Sequence, residues 1–197
     1  GASCAGTAGT LVFGGLTIGD GSTAFTTTFG GTNPTTTVDN IFRIRDSATF
    51  AAGSGTVNLK GPSGVSFLKT GTLTPNTSTF TYFTVDALSI ATTTYYNLSL
   101  TPTGTASIIL TTNILDVDNN LIVGDGTNAM TVNADINDPT VDIDGNLTIA
   151  ASSTFIASSG GTFTIGGNLA NSGIFTHSNG SVILDAGDTG TTIATNG

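Results

Sequence analysis

Glutamate, glutamine and tryptophan are missing from this 197-residue chain, and cysteine, histidine and methionine occur once each. Lys and Arg together number only four (Arg43, Arg45, Lys60, Lys69), against thirteen acids that are all Asp. Each gap excludes something. Helices draw on Glu, Gln, Lys, Arg and Met, which keep most of their rotamer freedom there, so almost no α-helix is predicted. Four cations in a chain of net charge −9 cannot neutralise a run of phosphates, which argues against nucleic acid and anionic membrane as partners. No apolar run approaches the roughly eighteen residues that a spanning helix needs, and no signal peptide is visible. The chain begins at Gly1 rather than Met, which reads as a processed product or a segment of a longer polypeptide. A lone Cys4 rules out an internal disulfide framework. It leaves an idle or buried thiol, a disulfide to a neighbouring copy, or, from Ala2-Ser3-Cys4, a lipoprotein-like site without its usual apolar leader.

What remains is rich in strand and turn formers. About a fifth of the residues are Thr, with many Val, Ile and Phe for pleated strands and Gly, Asn and Asp for turns. The apolar fraction of 38% and a mean hydropathy of +0.25 support a buried core, and charged residues at 9% are too few for charge-driven disorder.

The chain repeats. An Asn-Leu pair opens an alternating strand at Asn97-Leu98, Asn120-Leu121, Asn146-Leu147 and Asn168-Leu169, with spacings of 23, 26 and 22 residues. Before the pair, Leu115 to Asn119, Val141 to Gly145 and Phe163 to Gly167 alternate apolar and polar residues and then turn, placing the apolar set on one face. Ala48 to Leu59 parallels Ile174 to Leu184, and Ser153 to Phe163 is the same unit with an insertion. Units this short cannot bury their own apolar face, whereas stacked copies bury a continuous core. The predicted fold is all-β, a parallel β-helix with rungs of roughly 22 to 26 residues. About eight rungs at roughly 4.8 Å each would make a rod. The alternative is an antiparallel β-sandwich with a donated strand, for which residues 1–10 would serve as a linking strand. Residues 1–197 form a single repetitive domain on this reading, with 61–94 an irregular, loop-rich insertion around Pro62 and Pro75, and 95–197 the clearest repeats. The recurring Asn has two readings: an amide ladder between rungs, or ordinary left-handed corner chemistry.

The run from Gly145-Asn146-Leu147-Thr148-Ile149 to Gly180-Ser181-Val182-Ile183-Leu184 resembles the repetitive β-helical surface proteins of bacteria, of the filamentous-adhesin and autotransporter-passenger types, and long repeat proteins of environmental genomes. The resemblance spans 95–197, is patchy over 10–60 and weak over 61–94. It implies an extracellular or cell-surface location and a structural or adhesive role, and its motif contains no catalytic residue to carry over.

Chemistry-bearing residues are few, so no catalytic, cofactor or metal site is assigned and no enzymatic activity is expected. His177 lies in the turn Thr176 to Gly180. Asp116/Asp118 and Asp142/Asp144 recur 26 apart on a common strand face. Such pairs can bind Ca²⁺ or merely mark the solvent side; Leu121 and Leu147 stand where an EF-hand needs Gly. Formal glycosylation triplets start at Asn76, Asn97, Asn146 and Asn179. Thr26 to Thr28, Thr92 to Thr94 and Thr101 to Thr105 raise an ice-binding array but do not recur at the repeat period. Two functions are carried forward. One is a subunit of an extracellular filament or surface layer, whose partners are copies of itself. The other is a monomeric adhesin or carbohydrate-binding stalk that meets surface glycans through 61–94, with Tyr82, Tyr95 and Tyr96 as stacking groups or as core.

Overall fold

In the computed structural model, which describes residues 2–6, 9–31, 33–185 and 192–195, short alternating strands wind into a coil with three strands to each turn. The first three turns hold β1 (Ala2–Gly6), β2 (Thr10–Phe13) and β3 (Leu16–Ile18); β4 (Phe25–Gly31), β5 (Thr35–Val38) and β6 (Phe42–Ile44); and β7 (Ala48–Ala51), β8 (Thr56–Leu59) and β9 (Phe67–Lys69). Next come β10 (Thr72–Thr74), β11 (Thr79–Thr84) and β12 (Ala87–Ile90), then β13 (Thr94–Tyr95), β14 (Asn97–Pro102) and β15 (Ala106–Leu110). The sixth and seventh turns are β16 (Ile114–Val117), β17 (Leu121–Val123), β18 (Met130–Asn133) and β19 (Thr140–Ile143), β20 (Leu147–Ile149), β21 (Ser153–Ile156). The last full turn, β22 (Thr162–Ile165), β23 (Leu169–Asn171) and β24 (Ile174–Thr176), is followed by β25 (Ser181–Leu184) and β26 (Ile193–Thr195).

One face is unbroken: nine strands pair in the order β2-β5-β8-β11-β14-β17-β20-β23-β26. The two flanking faces each change sheet partway, from β1-β4-β7-β10 to β13-β16-β19-β22-β25, and from β3-β6-β9 to β12-β15-β18-β21-β24. All pairs among the described residues are parallel, so the molecule is a parallel β-solenoid of about eight turns. That excludes the antiparallel sandwich, and β1 pairs in parallel with β4 of its own chain instead of being donated. Residues 61–94 hold β9 to β12 and the first residue of β13, the stretch in which both flanks change sheet.

The Asn-Leu repeats set the register directly. Leu98 pairs with Leu121, Leu121 with Leu147 and Leu147 with Leu169, so the predicted spacings of 23, 26 and 22 residues are successive turns. Turn length still varies more than the sequence reading allowed. Thr79 and Asn97, one turn apart, are separated by only 18 residues, and the flank running through β10 changes sheet within that short turn.

Inward positions are buried almost without exception. Leu98, Leu100, Leu121, Val123, Leu147 and Ile149 stack along the central face, against Ile108 and Val132 on one flank and Leu115, Val141 and Ile143 on the other. Each such side chain contributes about 1.5–3 kcal/mol relative to exposure. The second to fifth turns have an aromatic file instead: Phe29, Phe50, Phe42, Phe67, Phe80 and Tyr95 follow one another at centroid distances of 4.9 to 5.9 Å.

Tyr82 and Tyr95 are fully buried, so the reading of these two as surface stacking groups is corrected: they are core. Their hydroxyls explain why they are not Phe. The short turn leaves the Ala91 carbonyl facing inward between β12 and β13, and Tyr95 Oη donates to it at 3.0 Å while accepting from Tyr82 Oη at 2.8 Å. A buried carbonyl without a donor is costly, and this relay supplies one. Burial pushes both phenols well above their ordinary pKa. Tyr95→Phe, which orphans the Ala91 carbonyl and the Tyr82 hydroxyl together, is expected to cost about 2–3 kcal/mol in urea unfolding. Tyr82→Phe removes only a donor to Tyr95 and should cost about 1 kcal/mol; equal losses would refute the direction of the relay.

Candidate functional site

The outward side of the nine-stranded face carries the most regular chemistry. One column runs Thr10, Thr35, Thr56, Thr79, then Asn97, Asn120, Asn146, Asn168, and ends at Thr192. From Asn97 onward it is a hydrogen-bonded ladder. Asn120 Nδ2 donates to Asn97 Oδ1 at 3.3 Å, Asn146 Nδ2 to Asn120 Oδ1 at 2.8 Å, and Asn168 Nδ2 to Asn146 Oδ1 at 2.9 Å. Each Oδ1 also takes the backbone N–H of the next rung's residue, at 3.3, 3.3 and 2.9 Å, and Thr192 closes the series through its N–H and hydroxyl on Asn168 Oδ1 at 2.7 and 3.0 Å. Of the two sequence readings of these asparagines, the ladder is the one seen. None of the four has φ above zero; the left-handed corners belong instead to residues such as Ser47, Asn113 and Ser152.

The ladder also places the glycosylation triplets. The amides of Asn97 and Asn146 are committed to it, whereas Asn76 and Asn179 are exposed on turns. A second outward column holds Val12, Thr37, Asn58, Thr81, Ser99, Ile122, Thr148 and Ala170 without a charge. Of the three Thr runs noted in the sequence, only Thr101, in β14, lies on this face. Thr26 to Thr28 lie in β4 on one flank and Thr94 in β13 of a different sheet, while the stacked threonines are single residues of successive strands. Turns of unequal length hid their alignment.

The aspartates divide into two kinds. Asp116 stands beside Asp142 in register, with Asp118 and Asp144 adjoining. Burial, then the charges of Asp116 and Asp144, raise the Asp118 pKa; burial, then Asp144, Asp116 and Asp185, raise that of Asp142. Among the described residues, no group of three or more His, Cys and Asp side chains forms a metal-binding cluster. The corner aspartates behave oppositely. Asp20 accepts the N–H groups of Thr23 and Ser22, which hold it down to about 2, and Asp125 is lowered by the N–H groups of Thr127 and Asn128. Asp138 is lowered by Gly160 N–H and the Ser158 hydroxyl, both at 2.9 Å, which tie its loop to the next turn.

The remaining sequence candidates are scattered. His177 is exposed, and its Nδ1 accepts the Asn179 N–H at 3.1 Å within its own turn. Tyr96 is half-buried. Cys4 stands opposite Phe29 in the β1–β4 ladder, and its side chain lies outside the described residues. A cleft opens on the outside of residues 60–103, overlapping the 61–94 stretch read as a glycan contact but lined by none of the three tyrosines. Lys60, Gly61, Ser63, Phe83, Thr84, Val85, Asp86 and Thr103 line about 410 Å³, with Lys60 Nζ 5.6 Å from the Phe83 ring centre. Alternation in β11 could have revealed Phe83: with Phe80 and Tyr82 inward, it must face out. Comparison with protein families, curated proteins and solved structures gives no match.

Two outcomes are expected. Asn146→Ala removes bonds on both sides of the ladder and should destabilise by about 1–2 kcal/mol, more than Thr148→Ala in the neighbouring column, which lies outside the ladder, if ladder bonding rather than surface packing matters. For acid, the sign follows from linkage. A carboxylate lowered on folding, such as Asp20, adds stability above its ordinary pKa of 3.8 that vanishes as the pH falls toward about 2. A raised one, such as Asp142, subtracts stability above its folded pKa, and the penalty fades on acidification. Melting curves should therefore show Asp142→Asn raising Tm at pH 7 and Asp20→Asn lowering it, with both differences shrinking in acid.

Proposed function

We propose that the chain is a rigid structural segment of an extracellular filament or surface layer, joined to neighbouring copies end to end, without catalytic activity. The observation that carries this reading is the state of the last turn. Val182, Leu184 and Ile193 point inward exactly as Phe163, Ile165 and Leu169 do one turn earlier, yet they are 38–56% exposed where those three are 0–8%. A further turn of parallel β-structure, whether from a neighbouring copy or from chain beyond Gly197, covers such an edge, as a capping helix or loop does in other sheets.

The opposite end fits that need. Leu11, Phe13 and Leu16 are inward residues left half-buried on the outermost turn. A strand edge also presents unpaired N–H and C=O groups, which favour pairing with another chain. Because the strands are parallel, one end of the rod meets the unlike end of the next, a head-to-tail contact that continues instead of closing. The resemblance to filamentous-adhesin and autotransporter-passenger repeats supports a surface location.

Negative-stain microscopy and sedimentation of the purified chain test this. Rods that lengthen with concentration are expected, and Leu184→Lys together with Ile193→Lys should return them to single units with an unchanged strand spectrum. A chain that remains monomeric at every concentration would refute end-to-end assembly.

A further inference from the structure

The cleft at residues 60–103 is formed where the solenoid departs from its own repetition. The corner between β8 and β9 is long, and it is held against the next turn by Gly64 N–H donating to Ala87 O and Ser89 N–H donating to Gly64 O, both at 2.8 Å. That corner becomes a wall. The floor comes from the ends of β8 and β11: Lys60 is fixed by its N–H on Val38 O at 2.9 Å, and beyond Phe83 the chain is turned by Thr84 Oγ1, which bonds Asp86 O at 2.9 Å and accepts Asp86 N–H at 3.2 Å. On the next turn Thr103 N–H donates to Thr84 O at 2.7 Å and completes the far side.

From this arrangement we infer that the cleft is a saccharide-binding site for a neutral pyranose residue. Phe83 offers an outward, half-buried aromatic ring for the apolar C–H face of a sugar, where Lys60 Nζ stands 5.6 Å from the ring centre and must swing aside to reach the hydroxyls; Val85, which is 54% exposed, extends this surface. Lys60 supplies donors, Asp86 acceptors, the Ser63 hydroxyl both, and Thr103 Oγ1, whose proton goes to Thr84 O at 3.3 Å, a further acceptor, which is the mixture vicinal hydroxyls require. One cation and one carboxylate in the same cleft leave no excess charge, and the chain as a whole is at −9, so a neutral ligand fits better than an acidic one. Lys60, Phe83 and Thr103 sit on three successive turns, about 10 Å end to end at the usual strand spacing, the reach of one or two sugar rings. This site stands apart from the end-to-end contact and does not depend on it.

The test is an amide-resolved NMR titration of the intact chain, kept dilute, with the methyl glycosides of glucose, galactose and mannose and with methyl glucuronide. At least one neutral glycoside should bind with a Kd on the order of millimolar and shift the amides of Gly61, Ser63, Gly64, Val85, Asp86 and Thr103. Phe83→Ala and Asp86→Asn should each weaken it about tenfold, and Phe83→Trp should restore binding. Asp86 is exposed, so its variant reports on binding even if Phe83→Ala perturbs folding. No shifts with any glycoside, shifts confined to other turns, shifts unchanged in Asp86→Asn, or binding of the glucuronide alone would each overturn the assignment.

Discussion

Everything in this molecule follows from the demand that each turn lie in register on the one before it. A turn of about two dozen residues has too little surface to bury by itself, so its apolar side chains are stable only when the neighbouring turns cover them. The central face meets that demand from β2 to β26 without interruption, and its inward column of leucines, valines and aromatics forms the spine of the core. The flanks meet it with one change of sheet each. Where they change, the aromatic file from Phe67 through Phe80 to Tyr95 fills the interior, and the tyrosine relay satisfies the carbonyl that the short turn exposes to it.

Legibility from sequence tracked this demand closely. The Asn-Leu pairs were readable because ladder asparagine and core leucine are adjacent and their turns are of similar length, so the residues that fix register also reveal it. In the first four turns the same ladder position is held by Thr, a residue too common in this chain to stand out, and the register there was not seen. Tyr82 and Tyr95 were ambiguous because a buried tyrosine needs a specific polar partner, and the Ala91 carbonyl that provides it is defined only once the turn is closed. The asparagines were half understood. Their amides span the rungs as one reading required, while the left-handed corners went to serines, other asparagines and Asp138. Phe83 and the wall that rises beside it escaped notice because a cleft made by three turns has no signature in any one of them.

The charges show how a chain that is nearly all acid tolerates its own repetition. Stacking turns stacks like residues, and Asp116 over Asp142 is the electrostatic cost of a motif copied in register. Corner aspartates repay part of it by accepting backbone N–H groups that would otherwise lack partners, and Asp138 does so across two turns. With uncharged Thr, Asn, Ser and Ala over most of the long face, repulsion is kept to one flank and to the corners.

The staggered hand-over of the flanks makes the rod mechanically uneven. Hydrogen bonds between turns run along the axis, so a pull on its two ends loads successive turns in series and separates them one at a time. Most neighbouring turns are held by three strand pairs, but among the described residues β9 and β12 do not pair, a single bridge joining Leu88 of β12 to Gly64 in the corner before β9, and β10 has no partner in the following turn. Tension would therefore concentrate on either side of β11, and the rod would part there into an aromatic-cored half and an asparagine-laddered half, each still coiled.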